Sequence, residues 1–143
     1  MTTKRKLGFN PKVAVGRLKA PLRLVPSSLI VYTAIVQELG AEKYSAYNWR
    51  EHKVSRVTYL EAILRHTLLA LNGEDADPES GVPHEGHIAA CCAIILDALT
   101  IGRLADDRYK TGTVKGLMEM AKVRCAEIRA RHAEKPKPKG RAR

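Results

Sequence analysis

Apolar residues recur every three or four positions in four stretches of this 143-residue chain, a spacing that places them on one face of an α-helix. The stretches cover residues 29–39, 58–71, 83–101 and 114–131. Aromatic residues make up only 5% of the chain, so aliphatic side chains must build the core, which favours helices over a β-sandwich. No stretch convincingly predicts a strand. The sequence therefore predicts an all-α fold, a bundle of four to five helices with irregular basic tails.

Small polar residues and glycines mark the predicted ends of these helices. Ser28 is placed to cap the first helix before Leu29, and Gly73 is placed to end the second. On the second helix we expect Ile63 and the four leucines to face the core. These leucines are Leu60, Leu64, Leu68 and Leu71. Residues 45–55 are polar and predict a loop.

The net charge of +10 at pH 7 is concentrated at the two ends of the chain. Residues 1–23 contain seven basic and no acidic residues, and residues 129–143 contain seven basic residues and one acidic residue. This distribution predicts an irregular basic arm at 1–23, a helical domain at 24–131 and a disordered basic tail at 132–143. The two ends are either solvated appendages or sites of non-specific nucleic-acid contact.

The chain contains three cysteines, of which Cys91 and Cys92 are adjacent in an apolar stretch. An odd number without a CxxC pair indicates buried thiols in a reducing compartment rather than a disulfide framework. The longest uncharged apolar run, residues 88–96, is too short to span a bilayer, and no apolar stretch follows the basic N-terminus as in a secretory signal. We therefore expect a cytoplasmic protein without a membrane segment.

Histidines and carboxylates gather around the second and third predicted helices. His84 and His87 are three residues apart at a helix start, so their side chains leave the same face. His66 lies on the preceding helix, and Asp77 belongs to the acidic loop, residues 73–83, that joins the two. Imidazoles and carboxylates that converge on a helical bundle suit a divalent cation such as Mg²⁺, Mn²⁺ or Co²⁺. The alternatives are surface histidines and a solvated acidic turn.

Further acids lie on the first two helices. Glu61 precedes His66 by five residues, about 140° around the helix, so the two side chains cannot both point squarely at one site. Glu38 and Glu42 share a face of the first helix, either as a solvated pair or with their repulsion relieved by a cation. The chain has no nucleophilic-serine motif, phosphate-binding loop or dinucleotide glycine pattern, which argues against those classes of chemistry.

Four segments resemble a family of small phage proteins, the dATP/dGTP diphosphohydrolases, which look related to MazG-like all-α nucleotide pyrophosphohydrolases. The segments are GAEKY at residues 40–44, YNWR at 47–50, YLEAILRH at 59–66 and GEDADPESGVPHEGH at 73–87. The resemblance implies removal of pyrophosphate from a purine deoxynucleoside triphosphate, dGTP or dATP. It also implies a divalent metal cofactor, a homo-oligomeric helical scaffold and a place in the host cytoplasm.

The resemblance suggests a metal site. In MazG-like enzymes glutamates on one helix and an E-x-x-D pair on another hold the metals, whereas this chain has His84-x-x-His87 in place of that pair. The candidate metal ligands are His66, Asp77, His84 and His87. Glu61 or Glu38 is then a further ligand or the general base.

The resemblance also suggests how the substrate is held. Positive side chains stabilise charge on a transferred group, and the candidates for this role are Lys43, Arg50 and Arg65. Trp49 is placed to stack on the purine or to anchor its loop by packing, and Asn48 is placed to read the edge of the base. Two other functions stay open: a nucleotide-binding protein without turnover, and a nucleic-acid-associated phage protein that acts through its basic ends.

Overall fold

The structure, a computed structural model, describes residues 10–133. In chain order its elements are α1 (Pro11–Gly16), a 3-10 turn (Leu22–Leu24), α2 (Ser27–Tyr44), α3 (Asn48–Glu51), β1 (Val54–Ser55), α4 (Arg56–Leu71), α5 (His84–Thr100), β2 (Leu104–Ala105) and α6 (Val114–Ala133). The chain divides into two compact units, the first ending at Asp107 and the second beginning at Arg108. The predicted all-α class is confirmed.

Glycines end the two helices that carry the histidines. Gly73 follows α4 with a φ of +94°, and Gly102 follows α5 with a φ of +71°, a left-handed conformation that glycine adopts without strain. At the other end of α4, Ser55 Oγ accepts a hydrogen bond from the backbone N–H of Thr58. The predicted serine cap of the first helix is wrong, because α2 begins at Ser27 and Pro26 occupies the capping position.

Helix α5 is the central element of the first unit, since it packs against both α4 and α2. Small residues allow the close approach: Ala90 and Ala98 are buried, and Gly86 lies against α2. A Cβ on Gly86 would lie 2.6 Å from Val82 Cγ1 and 3.2 Å from Tyr32 Cβ. The separation of α2 and α5 at this crossing therefore depends on the absence of a side chain at Gly86.

Helix α4 presents two different faces. The face that packs toward α5 carries Tyr59, Ile63 and His66, all partly buried. The predicted burial of the leucines is wrong: Leu60, Leu64, Leu68 and Leu71 are 41%, 57%, 57% and 80% exposed. Their spacing does give one stripe, but this stripe lies on the side of α4 away from His66. The face that α5 covers is therefore the one that combines polar and apolar side chains.

A two-stranded parallel sheet pairs Val54 with Leu104 and Ser55 with Ala105. The sequence predicts no strand and a loop over residues 45–55, whereas both α3 and β1 lie within that range. Two-residue strands and a four-residue helix are too short to show a hydrophobic period, which explains the error.

The predicted irregular arm contains α1 and the 3-10 turn within residues 10–24. Asn10 caps α1 by accepting a hydrogen bond from the N–H of Lys12, and Pro11 occupies the first helical position, which it favours. At the other end, α6 continues to Ala133, two residues into the predicted tail. The predictions for 1–9 and 134–143, including nucleic-acid contact, lie outside the described residues.

No helix between residues 10 and 133 combines the length and the apolar character that a bilayer crossing requires.

Replacing Gly86 with alanine is expected to destabilise the protein by roughly 1–3 kcal/mol, because the new methyl group must displace Val82 or Tyr32. The matched control is Gly40→Ala in α2, where a Cβ meets open space and the stability should rise by about 0.5–1 kcal/mol. Chemical denaturation measures both changes. A Gly86→Ala protein as stable as the Gly40→Ala protein would contradict the packing described.

Candidate functional site

Three histidines from α4 and α5 form one cluster. The ring of His66 stacks on that of His87 with centroids 4.5 Å apart, and it lies 5.2 Å from the ring of His84. His84 is fully buried and His87 is 8% exposed, while His66 is partly exposed. The predicted convergence of these side chains is therefore present in the fold.

Both ring nitrogens of His84 are engaged. Its Nε2 lies 3.1 Å from Glu74 Oε1 in the acidic loop, and its Nδ1 lies 2.9 Å from Nδ1 of His66. A fully buried imidazole needs partners for both nitrogens, because an unsatisfied polar group in the interior is costly. This hydrogen-bonded chain ties the acidic loop to α5 and α5 to α4.

Asp77 organises the acidic loop from within. Its Oδ1 accepts hydrogen bonds from the backbone N–H of Glu79 and of Ser80 and from the Ser80 hydroxyl, at 3.2, 3.0 and 3.1 Å. Burial raises the pKa of Asp77, but the hydrogen bonds from Ser80 outweigh it, so the pKa lies below its ordinary value. The Ser80 hydroxyl also lies 2.7 Å from Nε2 of His87, which connects the loop to the histidine cluster.

The surroundings of His66 and His87 favour neutral imidazoles. Burial lowers the pKa of both His66 and His87, and neighbouring imidazoles lower it further, while Asp77 acts in the opposite direction. A neutral imidazole retains a lone pair that can accept a proton or bind a cation.

A metal ion does not fit these residues as they stand. Within residues 10–133, no group of three or more His, Cys, Asp or Glu side chains is arranged to hold one. The structure brings His66, Asp77, His84 and His87 together, but His84 has no ring nitrogen to spare and Asp77 Oδ1 is committed to its own loop. Their role as ligands stays a prediction.

Lys43 and Arg65 bring positive charge close to the cluster. Lys43 Nζ forms an ion pair of 2.6 Å with Glu79 of the acidic loop, and the two side chains are 40% and 56% exposed. Arg65 is exposed and directly precedes His66. In contrast, the exposed Glu38 and Glu61 form no hydrogen bond or ion pair with the cluster in the described part of the chain, and their catalytic role stays a prediction.

Asp97 fixes helix α3 on α5. It accepts hydrogen bonds from Trp49 Nε1 at 2.7 Å and from Arg50 Nε at 2.8 Å. The hydrogen bond from Arg50 lowers the pKa of this carboxyl, so it stays ionised. Arg50, predicted to hold phosphate, is therefore engaged by Asp97, and Trp49 is anchored through its indole nitrogen.

A cavity of about 130 Å³ lies beside this contact. Polar and aromatic side chains on its wall include Gln37, Tyr44, Asn48, Trp49 and Tyr59. It is smaller than the roughly 300–1,000 Å³ of most ligand pockets, so it would take one ring system rather than a whole nucleotide. Asn48 and Trp49, which were predicted to bind the base, both line this cavity, and their role in binding stays a prediction.

Ser80 and Asp97 are not among the residues predicted from the sequence, and Glu74 is predicted only as a member of the acidic loop. The spacing of Asp77 and Ser80 is the signal of a side-chain-closed turn. Asp97 is the one Asp, Glu, Lys or Arg residue between Glu85 and Arg103. A single charged side chain in an apolar helix indicates a hydrogen-bond or ion-pair partner, because burying an unpaired charge is costly.

Together, the fold and the site define a small all-α protein in which two helices, α4 and α5, and an acidic loop bring three imidazoles together. The chain belongs to the family described as dATP/dGTP diphosphohydrolase, N-terminal, whose model matches residues 10–108. It is also similar to a protein named dATP/dGTP diphosphohydrolase from Salmonella phage PMBT28, with 34% identity over 101 residues. The match covers 71% of this chain and 34% of the phage protein, so the chain spans about a third of that relative's length. No solved structure matches the chain.

Lowering the pH from about 8 to about 5 is expected to lower the free energy of unfolding of the metal-free protein. The pKa values of His66 and His87 lie below 6.5 in the folded state and return to about 6.5 on unfolding, so the unfolded chain binds more protons over this range. The contribution of these two histidines to the free energy of unfolding is therefore fully present above pH 6.5 and is lost as the pH falls below that value. Thermal unfolding in EDTA at a series of pH values measures the decline.

The variant His66→Asn/His87→Asn should flatten this dependence, whereas His52→Asn, at an exposed position outside the cluster, should keep it. A midpoint of unfolding that is constant or rises as the pH falls would argue against neutral His66 and His87 in the folded protein.

Proposed function

We propose that the chain hydrolyses purine deoxynucleoside triphosphates, dGTP or dATP, to the monophosphate and pyrophosphate. The observation that carries the proposal is the convergence of His66, His84 and His87 with the acidic loop at one end of the α4–α5 pair. Membership of the family and the name of the phage relative support the same substrate class.

The cavity and the cluster lie along one face of α4, which supports a single extended substrate. Tyr59 borders the cavity and His66 belongs to the cluster, and seven residues separate them, two helical turns or about 10 Å. On α5, Cys91 lines the cavity one turn beyond His87. We place the purine between these elements near Asn48 and the triphosphate at the histidine end.

Lys43 and Arg65 are the basic residues proposed to hold the phosphate oxygens, because both are exposed beside the cluster. The ion pair between Lys43 and Glu79 is mostly exposed, so it is weak and readily exchanged for a triphosphate. Arg50 and Trp49 are proposed to hold α3 in place through Asp97, with the ring of Trp49 forming part of the base pocket.

We propose that the divalent cation, Mg²⁺, Mn²⁺ or Co²⁺, accompanies the triphosphate instead of occupying a cage made by the protein. Mg²⁺ sites commonly use one or two protein carboxylates together with substrate phosphates and water. A cation supplied in this way neutralises phosphate charge. It also agrees with the absence, in residues 10–133, of a preformed three-ligand group.

We also propose that the chain assembles into a homo-oligomer through the leucine face of α4. Four leucines at least 41% exposed form one contiguous stripe, and exposed apolar patches of this kind mark association surfaces. A second copy is the occupant that we propose, because two identical stripes are complementary in chemistry and in length.

Pyrophosphate release from dGTP and dATP with each of the three cations is the direct test of hydrolysis. We expect activity in the wild type, none in EDTA, and a loss of about a hundredfold or more in His66→Ala, as the removal of an acid–base group would give. His52→Ala, outside the cluster, is the matched control and should retain full activity. Tight nucleotide binding without product would instead support the non-catalytic alternative.

Leu64→Glu/Leu68→Glu is expected to reduce the protein to a monomer of 15.8 kDa in sedimentation experiments, because charge on the stripe cannot be buried. Leu117→Glu, at an exposed leucine of α6, is the control and should leave the oligomer intact. A wild type that sediments as a monomer would remove the basis for this part of the proposal.

A further inference from the structure

The hydrogen bonds of the cluster determine which ring nitrogens carry protons. An ionised carboxylate only accepts hydrogen bonds, so Nε2 of His84, 3.1 Å from Glu74 Oε1, must be the donor. In the neutral form of His84 one ring nitrogen donates and the other accepts, so in that form its Nδ1 is the acceptor. The partner of that acceptor is Nδ1 of His66 at 2.9 Å, and it must therefore carry the proton.

Nε2 of His66 is therefore unprotonated and carries a lone pair. With its proton on Nδ1, the neutral ring has none on Nε2. Nε2 of His66 makes no hydrogen bond to any group within residues 10–133. His66 is also the least buried of the three rings, so this nitrogen is the one best placed to meet a ligand.

A second chain of hydrogen bonds orients His87 in a similar way. The Ser80 hydroxyl donates to Asp77 Oδ1 at 3.1 Å and accepts from the backbone N–H of Val82 at 3.1 Å. Its remaining lone pair lies 2.7 Å from Nε2 of His87, which therefore donates. This hydrogen bond fixes the orientation of the neutral His87 ring, and the ring of His66 stacks on it.

We propose that Glu74, acting through His84, is a positioning residue that holds His66 in its Nδ1–H form, so that Nε2 of His66 accepts a proton from the attacking water. The assignment of the water rests on the proposed hydrolysis; the assignment of the proton positions does not. Glu74 itself need not touch the substrate for this role.

The proposed step transfers one proton and exchanges one bond at the α-phosphorus for another. Nε2 of His66 takes a proton from water, and the hydroxide oxygen forms a bond to the α-phosphorus. The bond from that phosphorus to the bridging oxygen breaks, and its electron pair leaves with pyrophosphate. The imidazolium of His66 then returns the proton to solvent.

Nitrogen-15 spectra of the histidine side chains in the full-length protein at about pH 8 test the assignment directly. We expect His66 protonated on Nδ1 alone and His84 protonated on Nε2 alone. Glu74→Gln should change this pattern, because an amide can donate as well as accept and no longer dictates which nitrogen of His84 is the donor. Asp75→Asn, an exposed acid of the same loop, is the control and should leave both signals unchanged.

A wild-type His66 protonated on Nε2, or a doubly protonated His84, would overturn the proposal even if no variant folds. An unchanged Glu74→Gln spectrum would do the same. In the hydrolysis assay, Glu74→Gln should lower kcat by roughly ten- to a hundredfold with little change in KM. The expected spectra in a wild type that releases no pyrophosphate would refute the proposed function and leave the proton positions established.

Discussion

The hydrogen-bonded chain from Glu74 through His84 to His66 is the interaction on which the site depends. It joins the acidic loop, α5 and α4 through a side chain that has no contact with solvent. In such surroundings each polar atom must have a partner, so the three elements cannot shift independently without leaving one unsatisfied. The same bonds that hold the loop against the helices therefore determine the chemical state of the histidines.

The sequence predicted the parts of this arrangement that follow from local pattern. The spacing of apolar residues predicted helices α4, α5 and α6, and a glycine marked the end of α4. The positions of the histidines on these helices predicted that they come together. The sequence did not predict which face of each helix is buried, because the spacing of apolar residues does not say which of two stripes packs against a neighbouring helix. The leucines made the stronger apolar stripe on α4, yet the stripe with His66 packs toward α5. Contacts such as Trp49 with Asp97 connect residues 48 positions apart, which no local pattern reveals.

The region that matches the family coincides with the first compact unit. The match ends at residue 108 and the unit ends at Asp107, where the carboxylate accepts hydrogen bonds from Ser55 and from the N–H of Val57. The first unit contains the histidine cluster, the cavity and the hydrogen bonds that Asp97 accepts from α3. The part of the chain that matches the family therefore contains every functional group proposed here.

The two faces of α4 have a consequence for how the sequence can vary. His66 and the leucines point in nearly opposite directions from one helical axis, with Tyr59 and Ile63 on the histidine side. If this stripe is the association surface proposed above, substitutions among Leu60, Leu64 and Leu68 would change assembly while leaving the histidine cluster intact. On that proposal, surface association and the chemistry of the cluster are determined by separate faces of α4, and a substitution on one face leaves the side chains of the other unchanged.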